Sequence, residues 1–179
     1  MKRFLMLFLV MVTFVFANSL SKIDTLEAKV TEKTYVNKNS KEKVYKFQMK
    51  YPDKVFKEIL SPKINFGETY TYNGNKKKVY YPMLKESFYE TITEDENYIL
   101  QAIKAIKQGN KNYTLEKKEI KEFDLGEGIK IIFLSYKKFD GLNFPTKVEI
   151  YENKRLISEL SFNDVKINKN MSDSLFTIK

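Results

Sequence analysis

The sequence contains no histidine, no cysteine and no tryptophan, and the first two absences narrow its chemistry. Without histidine and cysteine, the usual general base, the thiolate nucleophile and the common nitrogen and sulfur ligands of metal ions are all missing. The chain can form no disulfide, and it has no cysteine to which a bacterial lipid anchor is attached. Many enzyme classes are therefore excluded.

Short motifs that bind nucleotides or build a nucleophile elbow are also missing. There is no G-x-S-x-G, Walker or G-x-G-x-x-G sequence, and Gly126-Glu127-Gly128 lies between two predicted strands, which indicates a turn. The carboxylates of Glu94, Asp95 and Glu96 could form a metal site. Acidic residues are, however, expected in a first helical turn because the helix dipole favours them, and we prefer this interpretation. No pair of carboxylates is singled out for glycoside cleavage. We expect no catalytic residues, no metal and no cofactor.

The first residues have the layout of a cleavable secretory signal. Lys2 and Arg3 precede an apolar run over residues 4–16, and the small Ala17 follows. That run is short for the ~20 residues of a membrane-spanning helix. We expect a signal peptide at 1–17 and a single exported domain at 18–179. Losing Lys2 and Arg3 lowers the net charge from +9 to +7, so the surface would still attract anionic headgroups or acidic partners, whereas export argues against nucleic acid.

The first half of the chain alternates apolar and polar residues, as β-strands do. The pattern predicts strands at 26–35, 45–51 and 54–61, with a polar turn at 36–43 and a stop at Pro52. Asn73-Gly74 tolerates the positive φ of a tight hairpin between tyrosine-rich strands. The lysine run Lys76-Lys77-Lys78 follows this turn and is either a solvated hairpin tip or an electrostatic foot on a membrane or partner.

The middle of the chain changes to helical spacing. Isoleucines at 99, 103 and 106, a capping box formed by Thr93 and Glu96, and a stop at Gly109 predict a helix over residues 94–108. Ser87 with Glu90 predicts a short helical turn before it. Strands then resume at 113–123 and 129–138.

A hairpin over residues 144–168 ends this second run of strands, with its turn at residues 152–154. The order strands, helix, strands predicts an α+β fold with a curved antiparallel sheet and the helix covering its hollow. Twelve tyrosines and fourteen phenylalanines would either fill this interior as core or line a ligand cavity. We expect apolar space that the protein's own side chains leave unfilled.

Two segments carry a family resemblance. Residues 51–82, "YPDKVFKEILSPKINFGETYTYNGNKKKVYYP", resemble the early strands of the outer-membrane lipoprotein carrier proteins, the LolA family. Residues 144–176, "FPTKVEIYENKRLISELSFNDVKINKNMSDSLF", resemble the end of that family. Two features depart from it. Tyr51 stands before Pro52 where the family often has a basic residue linked to lid closure, and little chain precedes Leu26 for the family's first helix.

The resemblance implies an incomplete β-barrel with a helical lid and a function without catalysis. Such a protein takes acyl chains of lipoproteins from an inner-membrane release complex, carries them through the periplasm as a monomer and passes them to an outer-membrane acceptor. Transient contact with the membrane surface is compatible with this role. The alternatives are a LolA-like envelope sensor that binds lipoprotein or a membrane protein partner, a carrier of another lipid, and an envelope hydrolase working with carboxylates alone.

Apolar residues of the predicted strands and helix are the candidates for the lipid-binding cavity. A shift of one residue would turn every strand side chain to the other face, so each strand assignment depends on register. The predicted lining comprises Phe47, Met49, Phe56, Leu60, Tyr72, Tyr81, Ile99, Ile103, Ile106, Ile131 and Phe133.

Overall fold

The computed structural model describes residues 19–37, 39–92 and 96–178. The predicted signal segment at residues 1–17 lies outside these ranges, so its cleavage stays a prediction. Within them the chain forms one antiparallel sheet of eleven strands and one α-helix. The strands are β1 Thr25–Val36, β2 Asn39–Lys50, β3 Lys54–Ser61, β4 Thr69–Asn73, β5 Lys76–Tyr81, β6 Glu86–Thr91, β7 Tyr113–Glu116, β8 Glu119–Gly126, β9 Ile129–Phe139, β10 Leu142–Glu152 and β11 Arg155–Ile167, and the helix is α1 Tyr98–Lys107.

The sheet consists of two runs of sequential hairpins joined at its centre. Its order is β6-β5-β4-β3-β2-β1-β11-β10-β9-β8-β7, so the first and last strands pair with each other and β6 and β7 form the two edges. The segment that joins β6 to β7 must therefore pass from one edge to the other, and α1 lies in this segment. The predicted α+β fold, an open curved sheet with an inserted helical lid, is confirmed.

The pairing register decides which side chains face the helix. Residues paired across antiparallel strands share a face, and Leu26, Met49, Val55 and Tyr72 form one such row across β1 to β4. All four are buried, and we call their face the concave face. Five side chains of α1 are buried in the same cluster: Ile99, Leu100, Ala102, Ile103 and Ile106.

Short 3₁₀ turns at the two ends of the described chain cover different parts of the sheet. The N-terminal turn, Ser19–Lys22, packs against α1 and β10, and Leu20 and Ile23 are buried in the main core. The C-terminal turn, Asp173–Phe176, packs against β3 and β4. There Asp173 accepts hydrogen bonds from Lys50 and Lys54, whose side chains point to the convex face, opposite the helix.

Several strand boundaries differ from the sequence prediction. The segment predicted as a short helical turn around Ser87 and Glu90 is β6, and the prediction was wrong because pairing with β5 overrides the local capping pattern. Residues 113–123 form two strands, since Lys117 and Lys118 adopt positive φ and make a turn. The polar segment 36–43 mostly extends the β1–β2 hairpin, because ladder hydrogen bonds need only backbone groups.

The helix begins later than the capping box predicts. Asn97 is the N-cap residue and Tyr98 the first helical residue, so Glu96 precedes the helix and the predicted Thr93–Glu96 box was wrong. Thr93 itself lies outside the described residues. At the other end Gly109 has φ +84° and donates to the Ile106 carbonyl at 3.1 Å, which confirms the glycine stop.

Candidate functional site

A small crevice lies between the first turn of α1 and the concave face. Its volume is about 40 Å³. Its lining combines apolar side chains with polar and charged ones, and both the helix and the sheet contribute to each set. The apolar set is Val30, Phe47, Tyr98, Ile99, Ile150, Leu160 and Phe162, and the remaining residues are Glu32, Tyr45, Lys57, Glu96 and Asn97.

The crevice has a charged group between two aromatic rings on one side. The ammonium group of Lys57 lies 5.7 Å from the ring centroid of Tyr45 and 5.7 Å from that of Tyr72, a cation–π arrangement on both sides. Burial raises the pKa of Tyr45 well above its usual value, and the neighbouring Glu32 carboxylate raises it further. Tyr45 therefore stays a neutral hydroxyl beside Glu32.

The crevice is too small for an acyl chain in this conformation. A volume of 40 Å³ holds one or two water molecules at about 30 Å³ each. A larger, mostly polar depression of about 470 Å³ lies between α1 and the end of β8, the start of β9 and the end of β10. At the crevice itself the expectation of unfilled apolar space is not met. The reason is that the concave face and the helix contribute large side chains that meet, among them Phe133, Phe144 and Ile103, which are all buried.

Glu96 ties the N-terminal end of the helix to the sheet. One carboxylate oxygen accepts from the Lys77 ammonium at 2.9 Å and the other from the Tyr72 hydroxyl at 2.9 Å. Burial alone would raise the pKa of Glu96, but the hydrogen bonds from Lys77 and Tyr72 outweigh it, so this pKa is lowered. The pKa of Lys77 is correspondingly raised, against the opposing effect of its own burial, by its bonds to Glu96 and Glu90.

Lys107 ties the C-terminal end of the helix to the turn between β2 and β3 and to the N-terminal segment. Its ammonium group lies 2.5 Å from an Asp24 carboxylate oxygen and 4.5 Å from the ring centroid of Tyr51. Tyr51 is the residue before Pro52, where the resembling family often has a basic residue. Sequence reasoning missed this contact because residues 51 and 107 are far apart in the chain and neither lies in a motif.

The structure brings most of the predicted lining residues together on the concave side. Phe47 and Ile99 border the crevice. Six more lie buried in the same core: Met49, Tyr72, Ile103, Ile106, Ile131 and Phe133. Tyr81 is half-buried and packs edge-on against Phe88, with ring centroids 5.6 Å apart. That these residues contact a lipid stays a prediction.

Two of the predicted lining residues do not face the interior. Phe56 pairs with Gln48 and Thr71 and points to the convex face, the side on which the C-terminal turn packs against β3 and β4. Leu60 is the extra residue of a β-bulge, opposite the step from Val44 to Tyr45, and is 36% exposed. Both assignments were wrong because the register, which alternates sides residue by residue, is not readable from β3 by itself.

The two charge clusters noted in the sequence have structural partners. Of the three lysines at the β4–β5 hairpin, Lys77 binds Glu96 and Glu90, and Lys78 lies 5.6 Å from the Tyr89 ring centroid. The interpretation as an electrostatic foot is therefore not supported. In the acidic group, Glu96 pairs with Lys77, while Glu94 and Asp95 lie outside the described residues. Within the described ranges no helix is both long and apolar enough to cross a membrane.

Comparison with known proteins gives no match by sequence and clear matches by structure. No protein-family model and no curated protein matches the chain. A LolA superfamily protein from Nitrosomonas europaea superimposes with a TM-score of 0.62 at 11% identity, covering 91% of this chain and 96% of that one. A DUF1329 family protein from Desulfovibrio piger gives 0.63 at 11% identity, with coverages of 88% and 91%.

A third solved structure is a domain described as an outer membrane lipoprotein-sorting protein, from Vibrio parahaemolyticus. It superimposes with a TM-score of 0.59 at 14% identity and covers 85% of this chain and 88% of its own. Identities at this level show a shared architecture. With the open eleven-stranded sheet and its crossing helix, they show that this chain has the LolA-like fold.

Proposed function

We propose that this protein is a periplasmic carrier that binds the acyl chains of lipoproteins between α1 and the concave face, without a catalytic step. One observation carries the proposal: a ten-residue amphipathic helix, held at its ends by Glu96 and Lys107, packs five side chains into the apolar core on the concave face. Such a helix can move while the sheet stays intact. The LolA-like fold supports the same function.

The energetics are compatible with exchange of helix for cargo. Displacing α1 would expose Ala102 and four larger buried side chains, and each of the four is worth about 1.5–3 kcal/mol. An acyl chain of sixteen carbons gains about 12 kcal/mol on leaving water, at roughly 0.8 kcal/mol per CH₂. Cargo can therefore replace the contacts that the helix gives up, and the near balance allows later release. By resemblance, loading takes place at an inner-membrane release complex and release at an outer-membrane acceptor, with the carrier as a monomer.

A lipopeptide comparison tests this function. The mature protein is mixed with a triacylated lipopeptide or with the same peptide lacking acyl chains, and the complexes are measured by native mass spectrometry. We expect a one-to-one complex with the acylated peptide alone. Hydrogen exchange should show faster exchange of the α1 amides in that complex, because the helix leaves the sheet. Equal binding of the two peptides, or none, would contradict the proposal.

A second candidate function is favoured by the small volume of the crevice. A crevice of only about 40 Å³ is also what a domain that binds a protein partner through its surface would have. Under that alternative, a LolA-like sensor module, the acylated peptide causes no change at α1 and one envelope protein binds with defined stoichiometry. A phospholipid that binds as tightly as the lipopeptide would instead identify a carrier of another lipid.

A further inference from the structure

Four large apolar side chains project from two neighbouring loops at one end of the sheet. Ile64 and Phe66 lie between β3 and β4 and are 72% and 62% exposed. Met83 and Leu84 lie between β5 and β6 and are 81% and 60% exposed. We call these four residues the apolar tips. Scattered exposed apolar residues are ordinary, but a cluster of this kind is typical of an interaction site.

The two loops are in contact with each other. A Cβ atom added at Gly67 would lie 3.2 Å from Cγ of Pro82, so the ends of the two loops touch. Both connections also leave the sheet at the same end, because β3 and β5 run parallel to each other. The apolar tips therefore belong to one surface.

Hydrogen bonds fix the first loop in the form that exposes its side chains. Glu68 is buried, and its carboxylate accepts from the Asn65 amide at 2.7 Å and the Tyr70 hydroxyl at 3.0 Å. The backbone of Gly67 donates to the Ile59 carbonyl at 2.9 Å. A loop held in this way cannot turn Ile64 and Phe66 inward, so their exposure is a property of the fold.

The second loop is fixed by its own backbone. Leu84 donates to the Tyr81 carbonyl and Lys85 to the Pro82 carbonyl, each at 3.2 Å. The turn that these two bonds close contains Met83 and Leu84.

The charge around the tips is suited to an anionic surface. Lys63 and Lys85 are exposed and stand directly beside Ile64 and Leu84 in the sequence. The carboxylate of Glu68 is buried and accepts two hydrogen bonds. Glu86, at the start of β6, is an exposed acid next to Lys85. The chain as a whole carries a net charge of +9. Apolar side chains flanked by lysines are the combination that binds the interface of anionic bilayers.

We propose that the apolar tips insert into the interface of a bilayer containing anionic phospholipids, with Lys63 and Lys85 at the headgroups. The protein would then dock reversibly with the loop end of β3–β6 toward the membrane. Lys57, which lines the crevice, lies four residues before the end of β3, about 13 Å along the strand at 3.3 Å per residue. The proposed docking does not depend on acyl binding, so the two proposals are tested independently.

Tryptophan reporters test the docking, because the natural chain has no tryptophan and each variant therefore has a single fluorophore. Phe66→Trp and Leu84→Trp report from the tips, and Leu115→Trp, at an exposed position in β7, is the matched control. Each is titrated with vesicles of phosphatidylethanolamine and phosphatidylglycerol, and with vesicles of phosphatidylcholine alone. We expect a blue shift and quenching by brominated lipid for the two tip reporters on anionic vesicles only.

Sedimentation with the same vesicles measures the contribution of the tips to binding. The double variant Phe66→Ser/Leu84→Ser should bind about tenfold more weakly, whereas Leu115→Ser should bind like the natural protein. Thermal unfolding is compared in parallel, and because all three positions are exposed, the variants should stay folded. Raising the salt concentration to about 1 M should weaken binding further, since the Debye length shrinks to about 3 Å.

Four results would overturn the proposal. The first is a blue shift of Leu115→Trp equal to that of the tip reporters, and the second is unchanged vesicle binding by the Phe66→Ser/Leu84→Ser variant. The third is concentration-dependent self-association that this variant abolishes, because the tips would then be covered by a second copy of the chain. Absence of binding to either kind of vesicle, together with binding of one defined protein partner at the tips, would equally assign the surface to that partner.

Discussion

Single residues decide how firmly the helix is held over the sheet, and Glu96 is the clearest case. Its carboxylate accepts from both Lys77 and Tyr72, so two strands, β4 and β5, are tied to the start of α1 through one side chain. Lys77 also lies 3.3 Å from Glu90, whose side chain is more exposed. These two acids therefore make a matched pair for mutation.

We expect Glu96→Gln to lower the free energy of unfolding by about 1 kcal/mol, because it removes the charge from a carboxylate that accepts two hydrogen bonds. Glu90→Gln should cost less than about 0.5 kcal/mol, as is usual for an exposed pair. Urea unfolding of the two variants measures both values. Equal losses would show that Glu96 has no special part in holding the helix.

The contribution of Glu96 should also depend on pH. Since its folded-state pKa lies below the usual 4.5, the stabilisation is fully present above pH 4.5 and is lost as the pH falls through the folded-state value. The difference in unfolding free energy between the natural protein and Glu96→Gln should be constant from about pH 7 to about pH 5 and shrink toward about pH 3. A difference that is unchanged at the lowest pH would contradict the assignment.

Phe176 shows that the convex face has a small core of its own. It is fully buried but lies outside the main core cluster, and its carbonyl oxygen accepts from the Asn73 amide at 3.2 Å. We expect Phe176→Ala to cost about 3–5 kcal/mol, as for a buried phenylalanine. Thr177→Ala, at the exposed neighbouring position, should have almost no effect. Thermal unfolding of both variants tests this, and a small loss for Phe176→Ala would mean that the C-terminal turn detaches readily.

At the scale of elements, the mobility of α1 matters most for the proposed function. Lys107 makes an ion pair with Asp24 and a cation–π contact with Tyr51, and its side chain is only 14% exposed. Because these contacts hold the last turn of the helix, Lys107→Met should increase the hydrogen-exchange rate of the α1 amides about fivefold, the equivalent of roughly 1 kcal/mol. Lys104→Met, one turn earlier on the same helix, is the control and should leave these rates unchanged. If both variants exchange alike, the helix is held by its apolar face alone.

Strand boundaries illustrate what a sequence pattern can and cannot predict. The hairpin between β4 and β5 was predictable from Asn73-Gly74, since asparagine and glycine favour the backbone angles of tight turns. Its position was one residue off, because Asn73 still pairs with Lys76 and the turn residues are Gly74 and Asn75. The turn at Lys117-Lys118 was not predictable, because lysines adopt positive φ there only when the adjoining strands β7 and β8 pair. Pairing with β5 likewise places Ser87 and Glu90 in the strand β6, where the local sequence predicts a helical turn.

For the whole molecule, a moving cover is compatible with the place of α1 in the connection between the edge strands β6 and β7. The central strands β1 and β11 hold the two halves of the sheet together, and α1 takes no part in the sheet's hydrogen bonding. Displacing the helix would cost apolar burial but would break no strand pairing. The lipopeptide experiment therefore asks whether acyl chains replace that burial, and the vesicle experiment asks separately where the protein meets a membrane.

The sequence by itself determined the composition of the interior, the alternation that makes strands, and the isoleucine stripe that makes α1 amphipathic, because these depend on residue type and local spacing. It also excluded histidine and cysteine chemistry. Only the tertiary structure decided that Phe56 points to the convex face and Phe47 to the concave face, that Tyr51 meets Lys107, and that the crevice beside the first turn of α1 measures only about 40 Å³. These outcomes depend on strand register and on contacts between distant residues, and both arise from how the whole chain packs.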